Sequence, residues 1–115
     1  MPTDKRLRAL SLLLAALLAA TLFATAPATG GMIVPPWDKL AHFAFYGSIA
    51  TLLAAGLGRN RLPLAFALTC LVGIADEAYQ ATLPGRHADL ADLLADFAAA
   101  ATLSLAARAM ATREP

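Results

Sequence analysis

The chain has 115 residues, 59% of them hydrophobic and 15% charged, with a formal net charge of +1. A soluble domain of this size runs nearer half apolar and a quarter charged, and a small fold leaves much of its surface in water, so the excess apolar content points to lipid. The near-neutral balance makes no case for a nucleic-acid partner, and the single cysteine, Cys70, excludes an intramolecular disulfide and reads as a small buried hydrophobe.

A helix that crosses a bilayer needs about 20 mainly apolar residues. The first such segment covers residues 7–26, with Lys5, Arg6 and Arg8 at its start and Pro27 and Gly30-Gly31 as punctuation after it. Basic residues, an apolar run and Ala24-Thr25-Ala26 also resemble a secretory signal and its cleavage site. The run exceeds the ~7–15 residues of a signal core and Pro27 directly follows the candidate site, so a retained helix is expected. The second segment, 40–57, follows Pro35-Pro36 and ends at Gly58-Arg59-Asn60-Arg61. The third, 62–80, carries Pro63 in its first turn, where a missing N–H costs little. It stays apolar to Ala75, meets Asp76-Glu77 and stops at Leu83-Pro84-Gly85. The fourth, 90–110, contains Asp92 and Asp96, and its charge-free part, 97–107, is too short to span alone. It crosses only with those aspartates at the interface or facing the bundle interior. Alanines 98–101 suit close helix packing in lipid. The expected fold is all-α, one domain over residues 1–115, an integral membrane four-helix bundle.

With four spans the termini and the middle loop share one side. That side carries Lys5, Arg6, Arg8, Arg59, Arg61, Arg108 and Arg113, against Lys39 and Arg86 opposite. Cationic loops mark the cytoplasm, so both termini are expected inside, with Trp37 at the outer interface.

Asp4 and Glu114 apart, the acids Asp38, Asp76, Glu77, Asp89, Asp92 and Asp96 fall at the outer helix ends, with His42 and His87. Asp38, His42 and Tyr46 follow one another four apart, so they stack on one helical face, with Lys39 three before His42. Glu77 and Gln80 are three apart, with Gly73 one turn below Glu77; Asp89, Asp92 and Asp96 follow a three-then-four rule. Three inward faces would make one outward-opening pocket, with Asp38, Lys39, His42, Tyr46, Glu77, Gln80, Arg86, Asp92 and Asp96 as candidate ligand-binding residues. Plainer roles compete. Asp38 favours a helix N-terminus and Lys39 can snorkel. Glu77 and Gln80 can simply tie helices together. Arg86 can pair with Asp92 or Glu77, or clamp a phosphate. His42 lies a turn deeper, where ionisable groups are functional by default. Carboxylates and imidazoles suit Zn or Mn. Yet no helix has two histidines at ligand spacing and no close Cys/His cluster exists, so neither a metal nor another cofactor is expected. His87 is expected in a solvated loop.

The run Asp38-Lys39-Leu40-Ala41-His42-Phe43-Ala44-Phe45-Tyr46 resembles the opening signature of the VanZ-like family of bacterial membrane proteins. Glu77-x-x-Gln80 matches the family's next element; Pro84-Gly85-Arg86, with Asp92 six residues after the Arg, matches the one after. The order and spacing agree over residues 38–96. Two positions depart: the family usually has Asn where Asp96 stands and Gly where Ala99 stands. The first adds a possible negative charge; the second is expected to widen a helix contact slightly. The resemblance implies the bacterial inner membrane and a cell-envelope role. The family is named for a protein that lowers susceptibility to the glycopeptide teicoplanin, so a link to antibiotic resistance is an implication of the resemblance too.

No Ser/His/Asp arrangement or phosphate-cradling glycine loop is apparent, so a non-enzymatic module is expected, its outward pocket taking a lipid head group, cell-wall precursor or glycopeptide-related ligand. Membrane lipids are the expected partners, and a homo-oligomer is compatible with the chain. The alternatives are an enzyme on lipid-linked envelope substrates, with Glu77 or Asp92 as base and His42 as acid, and a small proton-coupled transporter.

Overall fold

The computed structural model describes residues 3–29, 36–84 and 89–113; Gly30-Gly31, Pro35, Gly85, Arg86, His87 and Glu114 lie outside them. The described residues form α1 (Lys5–Thr29), α2 (Trp37–Leu57), a 3-10 turn (Arg59–Arg61), α3 (Leu62–Gln80) and α4 (Leu90–Arg113). All four α-helices are long and apolar enough to cross a membrane.

Helix α3 has the expected limits, and the other three run longer. α1 continues through Pro27 to Thr29 rather than stopping at residue 26. A proline removes one hydrogen bond to the turn before it, but its fixed φ is itself helical. α2 starts at Trp37, three residues early, with Asp38 in its first turn where the helix dipole favours a carboxylate.

Helix α2 is the hub and packs against α1, α3 and α4. Small residues bring the backbones together: Ala50, Ala54, Ala65, Ala99 and Ala100 are buried, the pattern of helix contact in lipid. A side chain at Gly47 would begin 3.2 Å from Leu103 and 4.0 Å from the Ala99 methyl, so Ala99 packs over a glycine of α2. Large apolar side chains such as Leu13, Leu17, Leu71, Leu94 and Leu105 point outward.

The start of α1, the end of α2 and the start of α3 share one end of the bundle. There the Arg8 guanidinium donates from Nε to Gly56 O (3.1 Å) and from Nη2 to Leu57 O (2.9 Å). These bonds satisfy carbonyls that the end of α2 leaves open. Gly58, at φ +90°, then turns the chain in the left-handed region. A Cβ on Gly56 would lie 2.5 Å from Leu12 and 3.1 Å from Arg8 O, so glycine is what allows α1 this close. The acidic residues of α2, α3 and α4 lie at the opposite end.

Candidate functional site

Two groups of polar side chains are stacked at the acidic end. At the rim, Lys39 Nζ lies 2.7 Å from Asp38 Oδ2, 2.8 Å from Asp89 Oδ2 and 2.7 Å from Asp92 Oδ1. The spacing predicts Asp89 on one helical face with Asp92 and Asp96; it does meet Asp92 at Lys39, but from outside the helix. It precedes α4 and caps it, its Oδ1 accepting from the Ala91 N–H at 2.8 Å, because an aspartate at a helix start satisfies an open N–H better than it serves within the helix. The hydrogen bond from Lys39 holds the Asp89 carboxyl below the usual carboxylate range. The Asp89 N–H donates to Glu77 Oε2 at 2.8 Å, which ties the end of α3 to the start of α4.

One turn deeper, His42 Nδ1 and Asp96 Oδ1 share a hydrogen bond of 2.9 Å, and His42 Nε2 lies 3.6 Å from Asp92 Oδ2. The His42 and Tyr46 rings stack with centroids 6.0 Å apart, as the four-residue spacing predicts. Tyr46 Oη donates to Asp76 Oδ2 at 3.1 Å, and Gln80 Nε2 donates to the same oxygen at 2.9 Å. Asp76 and Asp96 are fully buried, and Glu77, Gln80 and Asp92 nearly so. A Cβ on Gly73 would lie 3.1 Å from Asp96 Oδ2 and 3.3 Å from Asp96 Cβ, so Gly73 makes the space that Asp96 fills against α3.

Of the candidate residues, Asp38, Lys39, His42, Tyr46, Glu77, Gln80, Asp92 and Asp96 converge from three helices; Arg86 lies outside the described residues. Gln80 reaches Asp76 rather than Glu77, since the four-residue step along one face brings side chains together better here than the three-residue step. Asp76 is absent from the candidate set, although its spacing to Gln80 was a readable signal. Four buried carboxylate oxygens, Asp76 Oδ1, Glu77 Oε1, Asp92 Oδ1 and Asp96 Oδ2, have no hydrogen-bond partner among the described residues, though Asp92 Oδ1 is ion-paired with Lys39 Nζ at 2.7 Å. Two trios, His42/Glu77/Asp96 and Asp38/Asp89/Asp92, each bring three possible ligand atoms within 4.8 Å of one another.

Fold and site together define a class: a four-helix bundle of membrane-spanning type with a polar cluster built by α2, α3 and α4 at one end. The chain belongs to the VanZ/LLP1 family, whose family model matches residues 5–111. That match takes in α1 and most of α4, beyond the 38–96 stretch that carries the sequence signature. No curated protein and no solved structure matches the chain.

Proposed function

We propose that this VanZ/LLP1 protein is a non-enzymatic binding module of the bacterial inner membrane. Both termini lie in the cytoplasm, and the acidic end opens outward onto a polar envelope ligand: a lipid head group, a cell-wall precursor or a glycopeptide-related molecule. The observation that carries this reading is the rim. The Asp38 and Asp89 side chains are 22% and 44% exposed and stand directly over nearly buried Asp92. Lys39 is already shared among all three acids, so the carboxylates set the preference. The complementary ligand presents an ammonium group or several hydroxyl donors, and a bare phosphate is disfavoured. The cationic residues at the other end support the orientation by the positive-inside rule.

The test is mass spectrometry of lipids that co-purify with the wild type and with His42→Ala. Enrichment of amine-bearing lipids or precursors over the bulk membrane, lost in the variant, is expected. A lipid profile equal to the bulk membrane in both proteins overturns the binding reading. A reporter fused to the C-terminus should be active only in the cytoplasm; activity outside overturns the orientation.

A further inference from the structure

We propose that His42, Glu77 and Asp96 form a binding site for a divalent first-row cation, Zn2+ or Mn2+, in the interior of the bundle. The inference does not rest on what the rim binds. Four observations lead to it. First, a ring nitrogen of His42 and one carboxylate oxygen each from Glu77 and Asp96 lie within 4.8 Å of one another. Ligands about 2.0–2.2 Å from a tetrahedral ion stand roughly 3.3 Å apart, so a modest contraction closes the site.

Second, Glu77 Oε1 and Asp96 Oδ2 are buried acceptors with no hydrogen-bond partner among the described residues. Glu77 is 7% exposed and Asp96 0%. A buried carboxylate oxygen without a donor is costly, and a cation removes that cost where no donor reaches. Third, the neighbouring Asp38/Asp89/Asp92 trio shows what such a cluster requires: a cation at its centre, which there is the Lys39 ammonium. His42/Glu77/Asp96 has the same construction one turn deeper, with Asp76 Oδ1 as a further buried acceptor. Fourth, Gly73 admits the Asp96 carboxylate against α3, where a methyl group would crowd it at 3.1 Å. The donor set, one imidazole and two carboxylates, suits Zn2+ or Mn2+ better than Ca2+ or Mg2+, which prefer oxygen alone.

Imidazole and carboxylate bind a metal in their deprotonated forms, so affinity should rise with pH. The experiment uses the full chain without a polyhistidine tag, in lipid nanodiscs, stripped with chelator and titrated with Mn2+ or Zn2+. Elemental analysis should then find close to one ion per chain. Glu77→Gln, His42→Ala and Asp96→Asn should each weaken binding by about tenfold or more, with helical content unchanged by circular dichroism. Less than a tenth of an ion per chain at saturation overturns the proposal. So does affinity within twofold of wild type in all three variants, which would put the ion elsewhere in the acidic end. Where a variant fails to fold, electron spin-echo spectra of the Mn2+-loaded wild type decide: an imidazole nitrogen coupling is expected, and its absence overturns the site.

Discussion

The two acidic trios at one end of the bundle are built alike and solved differently. The rim trio takes Asp38 from α2, Asp89 from the approach to α4, and Asp92 from α4. The deep trio takes His42, Glu77 and Asp96, with His42 and Asp96 each one helical turn inward of a rim residue. At the rim a single lysine meets all three carboxylates within 2.8 Å. A flexible four-carbon stem with three donors is suited to that task. Among the described residues the only nitrogen base at depth is an imidazole, and it reaches one oxygen of Asp96 as a hydrogen bond. The rim therefore holds a cation of its own, though one lysine among three carboxylates leaves it net anionic, and the deep trio holds no lysine or arginine among the described residues.

The largest expected effect comes from taking away the rim's cation. Lys39→Met keeps most of the stem and leaves Asp38, Asp89 and Asp92 facing one another. Removing one partner of a buried ion pair costs roughly 3–5 kcal/mol. The Lys39 side chain is 30% exposed, so a loss of about 2 kcal/mol is expected, read from denaturant unfolding followed by circular dichroism. A loss under about 0.5 kcal/mol would place the rim with ordinary surface pairs and remove the contrast with the deep trio.

Asp96→Asn should act with the opposite sign. The amide keeps the shape of the side chain and can still accept from His42 Nδ1, while one charge leaves a crowded, buried group. In chelator-treated protein the unfolding free energy should rise by about 1 kcal/mol, because a buried carboxylate with one oxygen lacking a donor is costly to keep out of water. Asn is also what the VanZ-like pattern usually carries at this position. Asp89→Asn, at the rim, should lower stability in the same assay. Equal signs for the two substitutions would break the comparison.

The helices were legible in the sequence because lipid demands long apolar runs, and no other period competes with that signal. Their ends were less so: α1 runs through Pro27 to Thr29, although proline lacks the N–H that would bond the preceding turn. Most of the site was legible for a geometric reason. In an antiparallel bundle, polar residues at alternate helix ends meet, so Asp38, His42, Glu77, Asp92 and Asp96 could be gathered by topology alone. What the spacing left open was which neighbour each side chain takes. Gln80 has both Asp76 and Glu77 within a turn, and only the rotation of α3 against α2, which brings Tyr46 onto Asp76, selects between them. Asp89 shows the same limit, since a residue at a helix boundary can belong to the face or to the cap. The expectation against a metal weighed histidine spacing along single helices and the lack of a close Cys/His cluster, whereas the proposed trio draws its ligands from three helices.

The smallest effect tests the rim by pH. The hydrogen bond from Lys39 draws the Asp89 carboxyl below its ordinary range, with the Ala91 N–H acting in the same direction. A carboxylate lowered on folding adds stability that is fully present above its unfolded pKa of about 4, and loses it as the pH falls through the folded value. The Asp89 contribution, read as the gap between the wild-type and Asp89→Asn unfolding midpoints, should therefore hold steady from neutral pH to about 5 and shrink below about 4. Asp89→Asn should have a lower midpoint at neutral pH and a shallower decline in acid, so the two curves converge as the wild-type carboxylate takes up its proton. With the Asp89 side chain 44% exposed, solvent screens much of this pairing, and the gap at neutral pH should be the narrowest of the three stability differences. A parallel decline in both proteins would mean that Asp89 titrates alike in the folded and unfolded chain, and that Asp38 and Asp92 alone hold Lys39 in place.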